Sequence, residues 1–159
     1  MKEIQLTRGM VAMVDDEDFE YLNEFKWCAA KMDSSIYAIR PTIKNGKKST
    51  ISMHRCIISE IDNVFIDHIN GNGLNNQRSN LRRCNDQQNQ RNRRPNKGTS
   101  SDFKGVRVIK SKTKKYTSRI KVSGITIHIG NFYSEIEAAK AYDIKAKELF
   151  GEFAWLNFP

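Results

Sequence analysis

Cysteine and histidine are scarce: 159 residues contain three of each. Cys28, Cys56 and Cys84 stand far apart with no C-x-x-C pair, which excludes a disulfide framework and a cysteine-rich zinc site and predicts reduced thiols. No apolar run approaches the roughly 18 residues of a membrane span, and the opening MKEIQLTRGM lacks the apolar stretch of a signal peptide. A cytoplasmic, non-secreted protein with no membrane partner is expected. Acids are also short, 18 against 27 bases, and the net charge of +9 points to a polyanionic partner, nucleic acid being the commonest. Residues 1–50 carry eight bases and eight acids, 51–98 eight and four, and 99–159 eleven and six, so the positive excess lies in the last two thirds. The length leaves room for one ordinary domain or two to three small ones, and excludes a large multidomain enzyme.

Three segments emerge, together predicting an α+β fold. Residues 1–52 read as a small α+β module. IQLTRGMVAMV forms a hairpin turning at Arg8-Gly9, and an acidic helix starts at Asp15 and Asp16 with Phe19, Leu22 and Phe25 at helical spacing. Two further strands around residues 37–43 and 49–53 are joined by Asn45-Gly46, a hairpin signal. The acidic helix face is expected to be solvated. Residues 53–95 hold eight asparagines within 23 residues, from Asn70 to Asn92, which implies a tightly hydrogen-bonded loop rather than plain helix. A basic linker at 96–100, with the boundary near Asn96, leads to residues 101–159. There the runs FKGVRVI, YTSRIKV and ITIHIGNF predict a three-stranded antiparallel sheet. One helix from about Ser134 to Phe150 packs on it through Ile136, Ala139, Tyr142, Ala146 and Leu149, and Ser134 with Glu137 forms its capping box.

The stretch IDHINGNGLNNQRSNLR places a carboxylate, Asp67, and an imidazole, His68, beside a tight Asn-Gly turn. Asp67 offers hard oxygen to a divalent cation, and His68 can take a proton from water near neutral pH. Asn85-Asp86 reads as a helix N-cap, and Asn89, one turn on, could present its amide oxygen back to the hairpin. Composition alone leaves two readings open: a metal site, or an Asx-rich structural loop with an exposed histidine.

The pattern D-H-I-N-G-N-x-x-N-N-x-x-x-N-L-R from Asp67 resembles the HNH nuclease motif, in the form found in phage and intron-encoded homing endonucleases. The resemblance implies a ββα-metal core holding one divalent ion, Mg²⁺ foremost and Mn²⁺ as the alternative. It implies Asp67 and Asn89 as metal ligands, His68 as general base, and Asn80 as the residue that braces the hairpin and helps orient the histidine. His54, in a Met-His-Arg run that commonly precedes the motif, is given a supporting role. Arg78, Arg82 and Arg83 could clamp phosphates, and Arg91, Arg93 and Arg94 of the basic stretch could follow the DNA backbone or a minor groove.

In the third segment strand alternation separates Ile120, Val122, Ile127 and Ile129 from Arg119, Lys121, Thr126 and His128, and residues 99–130 carry eight bases against one acid. Such a sheet face can enter a major groove. FKGVR, KYTSRIK, GNFYSEIEAAKAYD and the terminal LNFP are similar to the ethylene-response-factor (APETALA-type) DNA-binding domain of plants, which also occurs fused to HNH nucleases. The resemblance implies DNA contacts from Arg107, Lys121 and Tyr116, alongside Lys114, Arg119 and His128. The terminal LNFP is expected to serve packing. The whole reads as a metal-dependent, sequence-specific DNA endonuclease with double-stranded DNA as partner and no small-molecule substrate, nicking as a monomer. A noncatalytic DNA-binding regulator, or a nuclease for RNA or branched DNA, are the alternatives.

Overall fold

In the computed structural model, which describes residues 1–32, 35–58, 64–95, 98–111, 113 and 115–159, the first run folds as the expected hairpin. Strand β1 (Lys2–Gln5) pairs antiparallel with β2 (Val11–Val14), and Arg8 and Gly9 both take left-handed backbone at φ 64° and 65°. Helix α1 (Asp16–Asn23) carries Asp16, Glu17 and Asp18 in its first turn, where the helix dipole favours negative charge. Strands β3 (Cys28–Met32), β4 (Ser35–Lys44) and β5 (Lys47–Ser52) form an antiparallel sheet in that order, with Asn45 and Gly46 both at positive φ in the β4–β5 turn. The sequence CAAKM of β3 lacks branched and aromatic residues, so this strand exists through its pairing to β4 rather than through propensity.

Helix α2 (Met53–Ile58) precedes the hairpin of β6 (Phe65–His68) and β7 (Leu81–Cys84), after which comes α3 (Asp86–Arg91). Asn85 caps α3 as expected: its Oδ1 accepts from the Gln88 N–H at 2.8 Å while Gln88 Oε1 accepts from the Asn85 N–H at 2.9 Å. One apolar cluster gathers Ile4, Val14, Leu22 and Trp27 with Met53, Ile57 and Leu81. The expected separation of residues 1–52 from 53–95 is therefore corrected. A segment of about forty residues is too small to bury a core of its own, and it borrows the N-terminal one. Contacts divide the chain into two units, Met1–Asn89 and Gln90–Pro159.

In the second unit β8 (Val106–Val108), β9 (Tyr116–Val122) and β10 (Ile125–Phe132) form an antiparallel sheet in the order β10-β9-β8. Helix α4 (Glu135–Phe150) buries Ala138, Ala139, Tyr142, Ala146 and Phe150. Ile136, expected on this face, is exposed, and Ala138 and Phe150 take part instead. Gly105 is required by contact as well as by φ: a Cβ there would lie 2.0 Å from the Tyr142 ring, at φ +80°. The terminal residues are stapled down as expected, since Asp143 accepts from the backbone N–H groups of Asn157 and Phe158, both at 2.9 Å, and Asn157 Oδ1 accepts from the Lys104 N–H.

The boundary expected near Asn96 also moves. Asn96 and Lys97 lie outside the described residues, but residues 91–94 already belong to the second unit. Lys104 Nζ donates to the carbonyls of Arg91 and Arg93, both at 2.6 Å, placing a cation at the C-terminal carbonyls of α3. The guanidinium of Arg91 stacks over Phe150 at 4.6 Å and that of Arg94 over Trp155 at 5.7 Å. Among the described residues no helix is long and apolar enough to cross a membrane.

Candidate active site

Strand β6 brings Asp67 and His68 into the first unit as neighbours that project to opposite faces of the hairpin. Register sets Asp67 opposite Arg82, and the guanidinium grips one carboxylate oxygen, Oδ2, through Nε at 3.0 Å and Nη2 at 2.8 Å. Only 7% of the Asp67 side chain and 10% of the Arg82 side chain is exposed, so water screens the pair little. Buried pairs of this kind lose about 3–5 kcal/mol when one partner is deleted, because the other charge is stranded. Arg82 is thus engaged with Asp67 rather than standing at the surface.

His68, 4% exposed, is not the exposed histidine of an Asx-rich loop. Its Nε2 lies 3.2 Å from Oδ1 of Asn76, a residue with no exposed surface. Asn76 Nδ2 donates to the Leu74 carbonyl at 3.3 Å, which fixes the orientation of its amide. An amide oxygen only accepts, so in this arrangement Nε2 carries the proton and the lone pair sits on Nδ1. Burial pulls the His68 pKa below its ordinary value, with the Asn76 bond and the Asp67 charge opposing that shift.

The loop that delivers Asn76 is built from its asparagines, as the sequence implied. Oδ1 of Asn70 accepts from the Asn72 N–H, Oδ1 of Asn72 from the Leu74 N–H, and Oδ1 of Asn75 from the Gln77 N–H. Asn80 ties the two ends together, accepting from the Asn70 N–H at 3.0 Å and donating to the Asn75 carbonyl at 2.7 Å. The N-terminal hairpin holds the same loop from the other side. Met13 N–H donates to the Leu74 carbonyl at 2.9 Å, and the Asn76 N–H to the Met13 carbonyl at 2.8 Å. Asp15 accepts from the Arg78 N–H at 2.7 Å. Gly73 has no room for a side chain, since a Cβ would meet the Ile36 carbonyl at 2.4 Å and the Tyr37 ring at 2.7 Å.

Two rings stand beside His68. His54, from α2, stands edge-on to it with centroids 5.0 Å apart, and Tyr37, from β4, lies 5.7 Å from His68 and 5.8 Å from His54. His54 Nδ1 is buried without a hydrogen-bond partner among the described residues, and burial drives its pKa down to about 3. His54, expected to support the site, is thus a buried ring beside His68. Tyr37 and Asn76 escaped sequence reading. The first stands on β4, in a different sheet from β6, and only the packed fold brings its ring to His68; the second is one asparagine among eight with no local mark of its burial.

The remaining expected residues are dispersed. Asn89 lies within α3, its N–H donating to the Asn85 carbonyl at 3.0 Å. Arg78 is paired with Glu17 at 2.6 Å and with Asp18 at 2.7 Å, so a phosphate would have to displace two carboxylates. The solvated acidic face expected of α1 is present in Asp16, Glu17 and Glu20, which are exposed, while Asp18 departs from it, buried in that pair. Arg83 donates to the Ile58 carbonyl at 3.1 Å. In the second unit, register aligns Arg107 with Thr117, Arg119 with His128 and Lys121 with Thr126, placing Arg107, Arg119, Lys121 and His128 on one face. All four are exposed. Tyr116 is a correction: it falls on the opposite parity and packs on Val106, Ala138 and Ala139, so it belongs to the core side. Lys114 lies outside the described residues.

The donor chemistry fits a hard divalent cation better than a soft or closed site. Among the described residues no group of three or more His, Cys, Asp or Glu could hold a metal ion; of the two expected ligands, Asp67 is a carboxylate engaged by Arg82 and Asn89 an amide on α3, both hard oxygen donors by type. Mg²⁺ is commonly held by one or two carboxylates with its remaining positions filled by water and phosphate.

An uncharacterized HNH endonuclease of Acanthamoeba polyphaga mimivirus is 37% identical over 156 residues, covering 94% of this chain and 76% of that protein. No family model and no solved structure matches the chain.

Proposed function

The chain belongs to the HNH endonuclease family, and from that premise we propose that it is a metal-dependent, sequence-specific DNA endonuclease that nicks duplex DNA as a monomer. The observation that carries the reading is the His68 ring, buried, neutral and oriented by Asn76, directly after the Arg82-paired carboxylate of Asp67. Asp67 and Asn89 would hold the cation. When bound, it supplies Lewis-acid stabilisation of charge on the phosphate and the leaving oxygen.

The chain's own residues supply the rest. Arg82 holds the Asp67 carboxylate in one orientation. Asn76 fixes the His68 tautomer, and His68 takes the proton of the attacking water at Nδ1. His54 and Tyr37 exclude water from the back of that ring, which keeps it uncharged and able to accept. Asn80 holds the loop ends together so that the amide and the imidazole stay in register. In the second unit Arg107, Arg119, Lys121 and His128 would contact phosphates and base edges, giving the site-selective affinity of an ethylene-response-factor type domain.

Conversion of supercoiled plasmid bearing candidate host DNA, by wild type and His68→Ala with Mg²⁺, Mn²⁺ or EDTA, tests this. Open-circle product from wild type with metal alone, reduced roughly 10² to 10⁴-fold in the variant, is expected. Equal cleavage by both proteins would remove His68 from the chemistry.

A further inference from the structure

Residues 1–50 balance to zero charge, but the balance hides a partition. Residues 1–24 carry two bases and seven acids, and residues 25–50 carry six bases and one acid. The acids are largely gathered on α1, two of them bound to Arg78. The bases run out along the β4–β5 hairpin, whose two strands and turn contain Arg40, Lys44, Lys47 and Lys48 and no acid. Arg40 is turned inward, its guanidinium 3.9 Å over the Phe25 ring. The three lysines stand at the tip.

That tip has no buried face. Every residue from 43 to 50 is exposed, on both parities of both strands, so the end of the hairpin is a solvent-exposed two-stranded ribbon. Register sets Ile43 opposite Lys48 and Thr42 opposite Ser49, with Lys44 opposite Lys47 next to the turn. Ile43 is 75% exposed. Lys44, Lys47 and Lys48 give the exposed arm a positive charge that suits a polyanion. Dimensions also match one partner. Four residues at about 3.3 Å each give the exposed arm a length of about 13 Å, against a B-DNA major groove about 8.5 Å deep and 12 Å wide that admits a two-stranded ribbon.

We propose that the β4–β5 ribbon is a second DNA-binding element, entering a groove of duplex DNA with Lys44, Lys47 and Lys48 on the flanking phosphates and Ile43 toward the base edges. The choice of partner rests on the nuclease reading. The element itself is distinct from the catalytic hairpin and lies in a different unit from the C-terminal sheet. It gives residues 1–50 a task besides bracing the asparagine loop: a DNA contact within the unit that holds Asp67 and His68.

The test is full-length protein, wild type and Lys44→Ala/Lys47→Ala/Lys48→Ala, binding a fluorescent mixed-sequence duplex in EDTA across a salt series. Each lysine on a phosphate contributes about 0.9 to the slope of log affinity against log salt, so the triple variant should show a slope shallower by nearly 3 and weaker binding at low salt. Lysine-to-arginine replacements at the same positions should restore both, and the melting temperature should not move. Unchanged slope and affinity would overturn the proposal, as would loss confined to an RNA duplex of the same sequence. EDTA suppresses metal-dependent cleavage, so this result stands apart from the nuclease reading, which fails only if His68→Ala leaves metal-dependent cleavage intact.

Discussion

Asn76 and His54 act on the same imidazole by different physics, and substitutions at them should separate. Replacing Asn76 by Ala deletes the acceptor at His68 Nε2, so either tautomer becomes available and part of the population presents N–H rather than a lone pair to the water. The expected result is a loss in kcat of about tenfold or more with KM little changed, read from single-turnover nicking. His54→Phe keeps a ring against His68 and should leave most of the activity. Its effect appears in stability. Folded His54 has a pKa near 3 against an unfolded value of 6.5, so between those values the unfolded chain binds more protons and the fold weakens as pH falls. The slope approaches about 1.4 kcal/mol per pH unit for one such group. His68, shifted in the same direction, adds to it. Urea midpoints at about pH 7 and about pH 5 should therefore diverge in wild type, and diverge less in His54→Phe. Equal divergence in both would show that His54 stays neutral in the unfolded chain or is charged in the folded one.

Elements announced themselves in the sequence where a local rule sufficed. Arg8-Gly9 and Asn45-Gly46 gave turns because their positive φ values are local demands, and Asn85 with Gln88, like Ser134 with Glu137, marked helix starts through reciprocal side-chain bonds. What depended on distant partners was hidden. Strand β3 exists by pairing, Tyr116 faces the core because of strand register, and Arg78 reaches back sixty residues to Asp18. At the candidate site Asp67, His68 and the asparagine loop were legible from the motif, whereas Asn76, Tyr37 and the Asp67–Arg82 pair needed the fold. Two glycines of the second unit allow a test at this scale. Gly124 has positive φ with nothing near its missing Cβ, and Gly105 has positive φ with Tyr142 in the way. Alanine at Gly124 should cost about 1 kcal/mol, from backbone strain alone. Alanine at Gly105 should cost a further 1–3 kcal/mol for displacing the ring. Thermal melts of the two variants check the difference, and equal values would mean that Tyr142 moves aside freely.

At the scale of the molecule, the proposed function puts the chemistry in the first unit and most of the recognition in the second, which would make affinity and chemistry separable by mutation. Tethering would then keep the hairpin of Asp67 and His68 at a high local concentration near the DNA held by the C-terminal sheet. Removing Arg107, Arg119 and Lys121, which share the exposed face, should then raise the DNA concentration needed for half-maximal nicking and flatten its salt dependence by about 3 in slope. The rate at saturating DNA should stay near that of wild type, since none of these residues belongs to the unit that holds His68. Tyr116→Ala makes the opposing control. Its ring packs on Ala138 and Ala139, so the variant should melt earlier while leaving the salt slope of whatever protein remains folded unchanged. If instead Tyr116→Ala weakened binding with no loss of stability, the face assigned to DNA would have to be the other one, with α4 lifted away from it. If the triple variant lost its saturated rate as well, the sheet would be acting on the geometry of the cut itself rather than only on where the nuclease dwells.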